Sequence, residues 1–174
     1  MATSNQKFPI HEPQFFFKAF PHLKEDNHRV TSKATPPQSY PPTTEYKYNC
    51  FSFVIDDRKR IWWPGGIGCG YWPRQPSSET IAEIMEVLQN DFGYKPCDNG
   101  DFEKNTSKIA IFAKGDVPVH VAIQPSSGSG KWMSKMGYNV DMEHELRAIE
   151  TQDGDDHETQ GYGTVVRFMK LVKR

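Results

Sequence analysis

The chain has few cysteines, no long apolar run and almost no net charge, and each lack removes a class of protein. Cys50, Cys69 and Cys97 are its three cysteines among 174 residues. Their odd number and irregular spacing make no disulfide framework, so at least one thiol is free and a reducing compartment is expected. Nowhere do 18 consecutive apolar residues occur to cross a bilayer. The segment from Met1 to Ile10 has one lysine and no apolar core, so it does not read as a secretory signal. The expectation is a cytoplasmic chain with no membrane partner, although export without a signal leaves no mark of this kind. Lys plus Arg number 21 against 22 Asp plus Glu, a formal charge of -1, so no global field draws the chain to nucleic acid.

Metal and nucleotide motifs are also missing. There is no C-x-x-C or H-x-x-x-H pair, and Cys69, Cys97, His120 and His144 lack the spacing of a zinc site. The glycine run from Gly65 to Gly70 is not followed at once by a helix, and Gly128-Ser129-Gly130-Lys131 misses the phosphate-loop spacing. No metal and no cofactor is expected.

What the chain does have is 13 Gly, 13 Pro and 13% aromatic residues, the composition of one loop-rich domain rather than a helical bundle. Residues 1–45 read as a proline-rich N-terminal arm, because Pro36-Pro37 and Pro41-Pro42 forbid a continuous helix. Phe15, Phe16, Phe17 and Phe20 are expected to anchor that arm on the domain of residues 46–174. The run Tyr48-Asn49-Cys50-Phe51-Ser52-Phe53-Val54-Ile55 suits a short buried helix with Asn49 as N-cap, and a β-strand is the alternative. Residues 61–73 form a loop carrying Trp62, Trp63 and Trp72. A helix follows, with N-cap candidates Ser77 and Ser78, Glu79 in the first turn, Ile81, Ile84, Met85 and Leu88 on one face, and Gly93 as a stop. Residues 108–113, 119–124, 131–136 and 163–171 read as strands, joined antiparallel through tight turns.

Chemistry concentrates on a cysteine at a helix start and a histidine 70 residues later on a strand, Cys50 and His120. The helix dipole lowers a thiol's pKa, an adjacent imidazole accepts its proton, and free N–H groups stabilise an oxyanion on an amide carbonyl. If residues 126–130 close a hairpin, Ala122 faces Ser134, which puts Ser134 on the His120 face as the group to orient the imidazole. Asn49, Trp62, Trp63, Trp72 and Gln124 are the candidate substrate-binding residues. The plainer reading makes Cys50 a small buried hydrophobe, His120 a hydrogen-bonded strand residue and the tryptophans caps on the core.

Further strings accompany these residues: Trp62-Trp63-Pro64-Gly65, Glu79-Thr80, Phe92-Gly93-Tyr94 with Cys97, Lys108-Ile109-Ala110-Ile111, His120-Val121-Ala122-Ile123-Gln124, Trp132-Met133-Ser134-Lys135-Met136-Gly137, Glu143-His144, and Tyr162-Gly163 through Lys170. Together with Tyr48-Asn49-Cys50 the set resembles a family of uncharacterised bacterial domains of papain-like, NlpC/P60-like character, across residues 46 to 172. The resemblance implies an α+β fold with a nucleophile helix packed on an antiparallel sheet, Cys50 as nucleophile and His120 as general base. The implied activity is a cysteine-dependent hydrolase or acyltransferase acting on an amide bond of a peptide or protein substrate. The alternative is a catalytically inactive papain-like binding module that uses the tryptophan-rich loop.

Overall fold

In the computed structural model, which describes residues 17–32, 48–65, 70–137 and 140–172, the second half of the chain is dominated by strands. The most apolar of them, β3 (Thr106–Lys114), is buried on both faces along nearly its whole length, which makes it a central strand. The turn at Gly115, in the left-handed region, returns the chain antiparallel into β4 (Val117–Gln124). A Ser/Gly loop leads to β5 (Trp132–Lys135), which pairs with β4 through Ile123 and Met133 and with β6 (Asp141–His144) along its full length. On the other flank β7 (Thr164–Val172) pairs with β3 and carries β2 (Lys95–Cys97) on its outer side. With β1 (His28–Ser32) on β6, the seven strands run in the order β1-β6-β5-β4-β3-β7-β2, all antiparallel.

Alternation along these strands sends side chains into two separate cores. One holds Cys50, Phe51, Ile84, Leu88, Ile109 and Val121, and it is covered by α1 (Cys50–Val54) and α2 (Ile81–Asn90). The other holds Phe20, Ala110, Phe112, Ala122, Trp132 and Met142 on the opposite face.

The architecture corrects the expectation of a papain-like α+β fold with a nucleophile helix packed on the sheet. A seven-stranded antiparallel sheet makes up most of the molecule, and the helix that starts at Cys50 has only five residues. Its brevity has a local cause. The apolar run ends at Ile55, Asp56 turns left-handed (φ 61), and the Asp57 carboxylate takes the Lys59 N–H (2.9 Å), so the backbone leaves the helix after a single turn.

Two smaller readings also change. The helix α2 is capped by Thr80, whose hydroxyl accepts the Glu83 N–H (3.2 Å), rather than by Ser77 or Ser78, so Glu79 lies outside its first turn. The stretch read as an arm supplies the edge strand β1 and buries Phe20, while Phe17 stays exposed. Phe15, Phe16, the proline pairs at 36–37 and 41–42, and Cys69 lie outside the described residues.

Candidate functional site

Asn49 caps α1 as its residue type predicts. Its Oδ1 accepts the Ser52 N–H (3.1 Å) and its Nδ2 donates to the Trp62 carbonyl (2.8 Å), which stitches the helix start to the tryptophan loop. Those bonds occupy the side chain in structure, and the cap leaves Cys50 at the first helical position.

The Cys50 sulfur is buried and accepts backbone N–H groups from Val121, Phe51 and its own residue. Burial outweighs these bonds and pushes the thiol up to about 11. The helix start was expected to lower this pKa, and the opposite holds: at neutral pH Cys50 keeps its proton.

His120 stands on β4 beside Phe112 of β3 and is 1% exposed. Strand alternation aims its ring toward the Phe112 and Ser134 face, whereas the Cys50 sulfur meets the strand at the amide of the next residue, Val121. The Tyr162 ring lies flat on the imidazole, with centroids 3.9 Å apart and planes 3° from parallel. Its phenol accepts the Gly137 N–H and is raised by burial and then by the nearby Cys50 sulfur, so Tyr162 lies within electrostatic reach of the thiol and against the imidazole. Burial, and then the neighbouring His144, hold the His120 pKa well below its usual value. Its Nε2 has no hydrogen-bond partner among the described residues.

Ser134 occupies the place the register predicts but serves another histidine. The pairing of Ile123 with Met133 sets Ser134 across from Ala122, on the His120 face. There its hydroxyl lies 2.8 Å from His144 Nε2. His144 Nδ1 is 2.9 Å from the Glu145 carbonyl, which can only accept, so Nδ1 carries the proton and the Ser134 O–H donates to Nε2. The rings that pack on His120 are Tyr162, stacked flat against it, and Phe112, edge-on with centroids 5.6 Å apart. Sequence reasoning did not single out Tyr162 or the Ser134–His144 pair as parts of the site; strand alternation on β6, which matches His144 to Trp132 and Met142 to Ser134, is the signal that places His144 on this face.

The remaining predicted residues act as struts. Trp62 and Trp72 are 9% and 3% exposed, and their indole N–H groups bond Asp57 (2.7 Å) and Glu83 (3.2 Å). Trp63 donates to Glu79 at 2.6 Å. Gln124 Nε2 bonds the carbonyls of Gly100 (3.1 Å) and Gly130 (2.9 Å), far along β4 from His120, and its Oε1 has no partner among the described residues. Among the described residues no group of three or more His, Cys, Asp or Glu could hold a metal ion, and no helix is long and apolar enough to cross a membrane.

One family model, described as a domain of unknown function (DUF7689), matches residues 39–170. No curated protein matches, and no solved structure matches.

Proposed function

The chain belongs to the DUF7689 family, and we propose that it acts as a cysteine-dependent hydrolase or acyltransferase on an amide bond of a peptide or protein, with Cys50 as nucleophile and His120 as base. The observation that carries this reading is the bare Nε2 of a fully buried imidazole on the strand whose next amide bonds a buried thiol. A buried polar atom left without a partner costs about 1–3 kcal/mol. A histidine kept only for structure would have that ring nitrogen satisfied, as both ring nitrogens of His144 are.

The resting pair is a neutral thiol and a neutral imidazole. Nucleophilic attack then proceeds with proton transfer rather than from a preformed ion pair. The step requires a bound substrate to bring the Cys50 sulfur, at the Val121 amide, and the imidazole on the neighbouring face within reach of each other; as the sulfur then bonds the carbonyl carbon, its proton passes to His120 Nε2 and the carbonyl π electrons move to oxygen. Collapse of that intermediate breaks the C–N bond while the imidazolium returns the proton to the leaving nitrogen. Water or an acceptor amine, deprotonated by the same imidazole, then cleaves the thioester. Tyr162 keeps the imidazole in plane through these steps by ring stacking.

The test is a peptidyl acrylamide, an electrophile shaped like a peptide amide, read by intact mass and peptide mapping on the full chain. The expected result is a single adduct at Cys50 that forms at least tenfold more slowly in a folded His120→Gln variant. Equal rates in the two proteins, or an adduct confined to Cys97, would overturn the proposal.

A further inference from the structure

A second polar site lies on the other flank of the sheet, where β2, β3 and β7 meet. The register of β3 against β7 sets Lys108 directly across from Lys170. Like charges in facing positions of an antiparallel ladder repel, and the pair persists only with an anion between them. Glu103, from the loop that precedes β3, supplies it: one carboxylate oxygen is 2.6 Å from Lys108 Nζ and the other 3.3 Å from Lys170 Nζ.

The two ends of this arrangement are unlike. The Lys108 side chain is 1% exposed and also donates to the Asn99 carbonyl and side chain, both at 3.2 Å, whereas the Glu103 side chain is 44% exposed. A buried ammonium held for structure alone is ordinarily matched by a carboxylate buried with it. Here the counterion is a half-exposed loop residue beside an open cleft of about 220 Å³, whose lining adds Asp98 and Cys97. With Glu103 swung out, Lys108 and Lys170 against Asp98 leave the cleft with one net positive charge.

We infer that the Lys108–Lys170 cradle is a binding site for a small molecule bearing an oxyanion, either a carboxylate or a phosphate monoester, and that Glu103 is its built-in occupant, displaced when the ligand binds. The inference is independent of Cys50 and His120, which lie elsewhere on the sheet.

The experiment titrates inorganic phosphate, and separately acetate, into the full chain at constant ionic strength, with chloride as control, and follows thermal midpoint and calorimetric heat. Removing the competing charge in Glu103→Gln is expected to raise affinity for one of the two anions at least tenfold, and Lys170→Met in that background is expected to abolish the gain. Tighter phosphate assigns the site to phosphate esters, and tighter acetate assigns it to carboxylates. Affinities unchanged within twofold between wild type and Glu103→Gln, or a gain that survives Lys170→Met, would overturn the inference. If Glu103→Gln is unfolded in chloride, refolding by phosphate or acetate supports the site, and refolding by neither refutes it.

Discussion

Acidification is expected to destabilise this protein from about pH 6.5 downward, above the range where its carboxylates are protonated, because two neutral imidazoles are sealed in the core. His144 is fully buried, and burial lowers its pKa to about 4 from the 6.5 of an open chain. Between those two values the unfolded chain binds a proton that the folded chain refuses, so stability falls as pH falls from about 6.5 toward 4. Above 6.5 the contribution is fully present. The gap is about 2.5 pKa units, and at 1.36 kcal/mol for each the loss from His144 alone is about 3 kcal/mol. His120, lowered by burial and by His144, adds to the loss in the same direction. Carboxylates with lowered pKa values, such as Asp57 beside the Trp62 N–H, lose their contribution only below the ordinary carboxylate range. Urea unfolding at half-unit steps from pH 7.5 to 4.5 measures the slope, with His144→Asn as the comparison. The variant starts lower in stability but loses less on acidification. A wild-type stability that is level between pH 6.5 and 4.5, or a slope identical in His144→Asn, would refute the reasoning.

Three further outcomes test the frame around the site. A Cβ on Gly163, which has φ +71, would sit 1.9 Å from the Ala113 carbonyl oxygen, so Gly163→Ala is expected to cost about 3 kcal/mol or more; a urea midpoint near that of wild type would be incompatible with the close approach. Asn49→Ala removes the cap and the tie to the Trp62 carbonyl together and is expected to cost about 2 kcal/mol, with Asn49→Asp, which keeps the acceptor, falling between. Iodoacetamide at pH 8 is expected to label Cys97 before Cys50, since a buried thiol with a pKa of about 11 is only about 0.1% ionised there; peptide mapping that finds Cys50 labelled first would show that the thiol is open and activated at rest.

The elements legible in the sequence are those whose signal is local. Asn49 announces a cap because its side chain can reach back to the first turn, and Gly115 announces a turn because φ 60 costs it nothing. The strands β3, β4, β5 and β7 carry apolar runs, and the loop before Trp132 fixes the facing of Ala122 and Ser134. By contrast β1, β2 and β6 have three to five residues each, and β2 reads Lys-Pro-Cys, with a proline that lacks an amide to donate. Such strands exist because a neighbour offers an unpaired edge, which only the assembled sheet supplies. The cap of α2 escaped for a related reason. Ser77 is drawn to the Gly65 N–H and Glu79 to the Trp63 indole, tertiary bonds that hold the chain extended until Thr80.

The candidate site shows the same division between local and global causes. Order along the chain puts a cysteine at a helix start and a histidine on a strand, and both placements hold. Proximity to a helix terminus stabilises a charge by about 0.3–1 kcal/mol when the helix is long enough to sum its dipoles, and α1 has one turn. Desolvation of the same sulfur is worth more: moving a thiol from 9.0 to about 11 costs the thiolate about 3 kcal/mol. Desolvation therefore prevails over the dipole, and the sequence signal for an activated thiolate fails although the cap that produced it is correct. Under the proposed hydrolase or acyltransferase reading, neutral Cys50 and neutral His120 would carry no charge until a substrate carbonyl reached the sulfur and drew the proton across. Specificity on that view resides in whatever carbonyl group can enter beside Val121 and Tyr162, rather than in the intrinsic reactivity of the sulfur.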